Sequence, residues 1–239
     1  MHRISIPPVI AVRLGEAGDD LSLPGGVDPA RTAHIVIDLQ NGFMEPGAPV
    51  EVPAAREIVP QVNAISRALR EAGGTNVFVR FTTAPDGERS WSTFYARMPA
   101  EQARGHREAF TPGHHYWELW PGLDVEPADL KVDKTRFGAF IPGTCDLHEI
   151  LQRRGIDTLI VTGTLTNCCC ESTARDAMQL NYRVIFVSDG NAALSDEEHN
   201  MTLGNMRFLF ADVVDTGEVL DAIRGEKAGT RAESALISR

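Results

Sequence analysis

The sequence predicts an α/β fold: a single domain built on a mostly parallel sheet with helices on both faces. Three observations carry this. Unbroken apolar runs recur at Ile35–Ile37, Val77–Val79, Leu159–Val161 and Val184–Val187, as expected of strands buried on both faces. Between them, apolar residues fall three and four apart, the spacing of a helix that buries one side. Gly, Pro and short polar clusters separate the two patterns. Strands alternating with such helices pack as layers around a parallel sheet.

Residues 1–32 contain Pro7, Pro8, Pro24, Gly25, Gly26 and Pro29. They read as an irregular arm with a short strand at Val9–Val12, of the kind that covers a sheet edge or reaches a partner subunit. The main domain is expected over 33–224, followed by a frayed or disordered tail at 225–239. No internal repeat or composition shift marks a second core.

Ile35–Ile37 is the first strand, and Asp38 stands at its carboxyl end, where open parallel sheets gather reactive groups. An Asp there is otherwise a turn residue or a helix cap. Ala54–Ala72 reads as the next helix, with Ile58, Val62, Ile65 and Leu69 as its stripe and Gly73-Gly74 as its end. Val77–Val79 then returns parallel to the first strand by a right-handed crossover.

Residues 82–130 break the rhythm. Periodicity is weak and aromatics are dense, among them Trp91, Phe94, Tyr95, Phe110, Tyr116, Trp117 and Trp120. A connection this long is an active-site lid or a subunit contact, its aromatics lining a pocket or forming a local core. His106, His114 and His115 invite a metal site, but adjacent histidines in an extended chain point to opposite sides. Farther on, Lys134 by itself would be a solvated surface charge. Thr144 is placed to cap a helix over Cys145–Arg154 that buries Leu147, Ile150 and Leu151. Cys145 reads as a structural thiol.

The stretch Leu159 to Asp189 is a strand-turn-helix-strand unit. Its helix, from about Cys168 to Leu180, carries Cys170, Ala174, Ala177 and Met178 on one face. A thiol at a helix start meets unpaired N–H groups and the positive dipole end, which favour the thiolate. Ser195 to Glu198 has the pattern of a capping box and opens a helix to about Phe210. Ala211–Thr216 is the last strand.

Composition narrows the functional classes. With 43% hydrophobic residues in 239 there is enough chain for a full core. No apolar run is long enough for a membrane span, and no cationic start leads into an apolar core, so neither a transmembrane helix nor a signal peptide is expected. A net charge of −10 without a basic cluster argues against nucleic acid. Three of the four cysteines are consecutive, which makes a disulfide framework improbable and fits a reducing cytoplasm.

TGTLTNCCCESTARDA resembles the nucleophile motif of the isochorismatase-like cysteine hydrolases, a superfamily of nicotinamidases, N-carbamoylsarcosine amidohydrolases, biuret hydrolases and ureidoacrylate amidohydrolases. The resemblance runs, more loosely, from about Ala33 to Thr216. It implies that Cys169 is the nucleophile, with Cys168 and Cys170 where the family more often has apolar residues. DLQNGF resembles the first catalytic segment and makes Asp38 the general base. Gln40 and Asn41 would then hold the loop or touch substrate, and Phe43 would be pocket wall or core. VDKTRFGAF resembles the third signature, with Lys134 catalytic and Arg136 and Phe137 as substrate contacts or ordinary surface and core. Trp91, Tyr95 and Trp117 are the lid's candidates for substrate binding.

The resemblance further implies a six-stranded sheet of order 3-2-1-4-5-6 and a homodimer or homotetramer. It also implies a cis peptide at Thr164–Leu165 and an oxyanion hole from the Leu165 and Cys169 N–H groups. No cofactor is needed. Nicotinamidases hold a metal through Asp-x-His after the second strand; here that region is FTTAPDGERSW, so no metal is expected. The implied activity is cysteine-dependent hydrolysis of a C–N bond in a small carboxamide, ureido or carbamoyl compound. True isochorismatases cleave a vinyl ether and lack the nucleophilic Cys. The alternatives are a catalytically idle binding or scaffold protein and a thiol redox protein using the Cys168–Cys170 cluster.

Overall fold

A computed structural model describes residues 1–6, 9–10 and 26–225 of the chain. Six strands form one parallel sheet in the order β3-β2-β1-β4-β5-β6. They are β1 Thr32–Ile37, β2 Thr75–Phe81, β3 Leu130–Lys134, β4 Thr158–Thr164, β5 Arg183–Ala192 and β6 Asp212–Val214. This is the expected class and order. Parallel neighbours need crossovers, and helices supply them on both faces.

Alternation along the strands decides which helix meets which residue. Ile35, Ile37, Leu159, Val161 and Phe186 face one layer. That layer holds α5 (Leu147–Arg153), α6 (Glu171–Gln179) and α7 (Asp196–Asn205), which bring in Leu147, Leu151, Ala174, Ala177 and Leu203. On the other face, the short α1 (Asn41–Met44) brings in Phe43 and Met44, and α2 (Val59–Glu71) lays Val62 against Val36 and Phe78, and Ile65 and Leu69 against Ile160 and Ile185. Each such aliphatic side chain, fully buried, contributes about 1.5–3 kcal/mol of transfer free energy. Among the described residues no helix is long and apolar enough to cross a membrane.

Several local expectations are corrected. The α2 stripe is buried as read, but Pro53–Arg56 forms a separate 3-10 turn and the α-helix starts only at Val59, with Pro60 in its first turn, where no N–H partner is lost. The lid is not structureless: it contains α3 (Ser92–Tyr95) and α4 (Ala100–Ala109). Helix α4 buries only Ala103, His106 and Ala109, a face too poor in large apolar residues to show as periodicity. Thr144 does not cap α5. Its hydroxyl donates to Ile141 O at 2.8 Å, closing the preceding turn, and the helix begins at Leu147 after Asp146. Met178 is 41% exposed, and the buried face of α6 is Thr173, Ala174 and Ala177.

Ser195 caps α7 by accepting from Glu198 N–H, but the complete reciprocal capping box lies at Asp215 and Glu218. It opens α8 (Thr216–Arg224), a helix the sequence reading passed over. Val9 and Ile10 are helical, so the short strand expected at Val9–Val12 does not start there, and residues 11 and 12 lie outside the described residues. So does the tail from 226 to 239.

Candidate active site

The carboxyl ends of β1, β3 and β4 converge on one point. Asp38 follows β1 directly, with φ +54°, and its N–H donates to Val79 O at 2.9 Å. The end of β4 comes unusually close. A Cβ on Gly163 would lie 2.1 Å from Ile37 O, and Gly163 has φ +128°, so only glycine fits. A cis peptide joins Thr164 to Leu165. The chain then enters a π-helical turn, Thr166–Cys170, before α6. Leu165 O accepts from both Cys168 N–H and Cys170 N–H at 3.1 Å. Single π turns of this kind recur at functional sites. Cys169 is 4% exposed.

Lys134 ends β3 and reaches across the end of β2. Its Nζ donates to Asp38 Oδ2 at 2.8 Å and to Arg136 O at 3.0 Å, and it lies 5.2 Å from the centre of the Phe81 ring. The Cys169 thiol adjoins both Asp38 and Lys134 and acts on their protonation, lowering the pKa of the first and raising that of the second. Asp38, Lys134 and Cys169 are thus one contact group drawn from three strand ends. Asp38 Oδ1 is buried and has no hydrogen-bond partner among the described residues.

The charges shape one another. Burial pushes the Asp38 carboxyl above the ordinary range, against the pull of the Lys134 ammonium. For Lys134, burial opposes the charge, but Asp38 and then Cys169 outweigh it and its pKa rises. The Cys169 thiol is pushed well up by the neighbouring Cys168 thiol, by burial and by Asp38, with Lys134 acting the other way. The resting arrangement is a neutral thiol beside a carboxylate more basic than usual and a firmly protonated lysine.

The other candidates separate into wall and scaffold. Gln40 is scaffold: its Nε2 donates to Phe81 O (3.0 Å) and Trp117 O (2.8 Å), and its Oε1 accepts from Phe81 N–H (2.7 Å). Asn41 Nδ2 donates to His115 O, and its buried Oδ1 has no partner among the described residues. Phe43 is core, packed on Phe110. Trp91 stacks on Phe94 at 4.3 Å and meets Phe137 edge-on at 4.7 Å. Phe81 also packs on Trp91, so these four rings form a wall beside Lys134.

Arg136 joins lid to site. Its guanidinium lies over Trp91 and donates to Ser90 O and Thr135 O. Tyr95 is 4% exposed, wedged against Phe94 and His106 rather than on the wall. Trp117 carries Arg80 on its face and donates to Thr82 Oγ1. The three lid histidines part company. His106 is buried among Phe81, Phe94 and Phe110, His114 caps a turn, and His115 pairs with Glu45. From the sequence, Phe81 is not a site candidate, Phe94 is only one of the lid's aromatics, and Gly163 reads only as a breaker after the strand. A Gly closing a buried apolar strand beside the nucleophile motif was the signal available.

An α/β sheet with an Asp, a Lys and a Cys gathered at three strand ends defines a class of hydrolase-like folds, and comparison with known proteins identifies which. The family profile described as Isochorismatase domain matches residues 32–218, and the chain belongs to the isochorismatase family. It is 34% identical to an uncharacterized isochorismatase family protein, YwoC, of Bacillus subtilis (strain 168), over 77% of this chain and 88% of that one. It is 28% identical to the ureidoacrylate amidohydrolase RutB of Caulobacter vibrioides, over 82% and 92%. Among solved structures, a cysteine hydrolase from Pseudomonas syringae pv. phaseolicola 1448A superposes with a TM-score of 0.75 at 28% identity, covering 85% of this chain and 97% of that one.

Proposed function

We propose that this protein is a cysteine amidohydrolase that cleaves a C–N bond in a small carboxamide, ureido or carbamoyl compound. The observation that carries the reading is the buried contact group of Asp38, Lys134 and Cys169. A thiol needs a base to become a nucleophile, and Asp38 is the buried carboxylate beside it, each acting on the other's protonation. Asp38 takes the Cys169 proton as Sγ attacks the carbonyl carbon. It then delivers that proton to the departing nitrogen as the C–N bond breaks. Lys134 offsets the charge on the sulfur and the carboxylate. The oxyanion is received by the N–H groups of Leu165 and Cys169 at the start of the helical turn. Asp38 next deprotonates a water that attacks the thioester, and the returning proton restores the thiol.

The relative named ureidoacrylate amidohydrolase supports the bond type. The wall of Phe81, Trp91, Phe94 and Phe137 suits a compact, partly planar substrate. The same reading includes action in the cytoplasm as a homodimer or homotetramer, and a catalytic domain spanning 33–224.

The test begins with ammonia release across ureas, carbamoyl amino acids and aromatic amides. The compound turned over is then used in rapid-quench intact-protein mass spectrometry. An acyl adduct on the Cys169 peptide, lost in Asp38→Asn, is the expected result. Normal turnover by Asp38→Asn removes Asp38 from the chemistry. Reversible oxidation with no amide turnover would favour the thiol redox reading instead.

A further inference from the structure

The N-terminal residues make a set of contacts that the chemistry above does not use. His2 lies over the start of α7 with its side chain 6% exposed. Its Nδ1 bonds Asp196 Oδ1 at 2.8 Å, and its Nε2 accepts from Ala193 N–H at 3.0 Å. The strap continues along the helix. Ser5 N–H donates to Asn200 Oδ1, Asn200 Nδ2 donates to Arg3 O, and Ile6 packs on the main core.

The His2 ring stacks on the His199 ring, 4.4 Å between centroids and 18° between planes. His199 is fully buried on α7. Its Nε2 bonds the carbonyl of Ser188 at 3.0 Å, which makes that nitrogen the donor and Nδ1 the acceptor. Nδ1 therefore accepts from Thr166 Oγ1, at 2.9 Å. Thr166 is itself fully buried and is the first residue of the π turn, between Leu165 and Cys169.

We propose that the N-terminal hexapeptide braces the catalytic turn: His2 seats His199, and His199 fixes Thr166 and with it the backbone that carries Leu165 and Cys169. His2, His199 and Thr166 are positioning residues. A π turn is a rare departure from the regular α-helix, and a buried hydrogen bond from outside the turn helps to hold its first residue in place. The Thr166 hydroxyl and the His199 ring supply one, and His2 covers the face of the His199 ring while both ring nitrogens are occupied. The part concerning turnover rests on Cys169 being the nucleophile; the part concerning the turn does not.

The test uses the full chain with His2→Ala, Thr166→Val and the double variant. Iodoacetamide labelling is read as the ratio of Cys169 to Cys145 by peptide mass spectrometry, alongside Tm. Each single change should raise the ratio about fivefold, the factor one buried hydrogen bond puts on a local opening equilibrium. The double variant should add little more, because both changes cut one chain of contacts. On a turned-over amide, kcat should fall with KM unchanged. Wild-type labelling in His2→Ala, or full additivity, overturns the brace. A parallel rise at Cys145 with a fall in Tm also overturns it, since that reports general loosening. Should the ratios move as expected while no amide is hydrolysed, the brace stands and the hydrolase reading falls.

Discussion

Lys134 Nζ donates to Asp38 Oδ2 at 2.8 Å, and neither side chain exposes any surface. Lys134 ends β3 and Asp38 follows β1, with β2 between the two strands. The sheet order is therefore what lets them meet, 96 residues apart in the chain.

Removing one member of this pair leaves a buried charge without its partner. Lys134→Met should lower unfolding free energy in urea by about 3–5 kcal/mol and abolish turnover. Lys134→Met combined with Asp38→Asn should regain most of that stability and none of the activity. A single variant that keeps wild-type stability would mean that the pair is not formed in solution.

The neighbouring Cys168 thiol is the first of the influences that raise the Cys169 pKa, ahead of burial and Asp38. Cys168→Ala removes it, so the midpoint of Cys169 alkylation against pH should move down. Cys169→Ser should abolish turnover, while Cys170→Val, in the core beneath, should fold and keep most activity. If Cys168 proves indispensable and Cys169 does not, the nucleophile is misassigned by one residue.

Three buried histidines should make the fold acid-labile. Burial lowers the pKa of His34 to about 3 and those of His106 and His199 to about 4. The unfolded chain binds these protons near pH 6.5, and the native state does not until far lower. Stability is therefore intact above pH 6.5 and falls as the pH drops toward 4. The slope for each histidine approaches about 1.4 kcal/mol per pH unit. Urea denaturation across pH 4–8 measures it, and a flat profile would show that these rings titrate normally.

Gly163→Ala should be among the most damaging single changes. The added Cβ meets Ile37 O and Ile37 N, backbone atoms that cannot swing aside, at a φ that L side chains rarely adopt. A loss of at least about 3 kcal/mol, by thermal or urea unfolding, is expected. Gly73→Ala, also at positive φ but with nothing within 4 Å of the added carbon, should cost much less.

Turnover should survive dialysis against EDTA, because Thr82 to Trp91 lacks the Asp-x-His pair and a thiol nucleophile needs no Lewis acid. Activity lost with EDTA and restored by zinc or iron would count against the proposed chemistry.

Elements that depend on neighbours in the chain are legible without the folded structure. Continuous apolar runs fixed four strands, and the Ile58–Leu69 stripe fixed the face of α2, because burial on two sides or one leaves a direct record in periodicity. Motif order singled out Asp38, Lys134 and Cys169 as candidates. What the sequence could not decide depends on contacts between distant segments. Helix α4 is held by Ala103, His106 and Ala109 under a layer of rings, so its own sequence carries no amphipathic signal. Gln40 and Tyr95 look like binding residues until their polar atoms or faces are seen to be taken up by the lid and the core. The stacking of His2 on His199 spans almost the whole chain, and only the folded structure brings those two rings together beside the turn that carries Cys169.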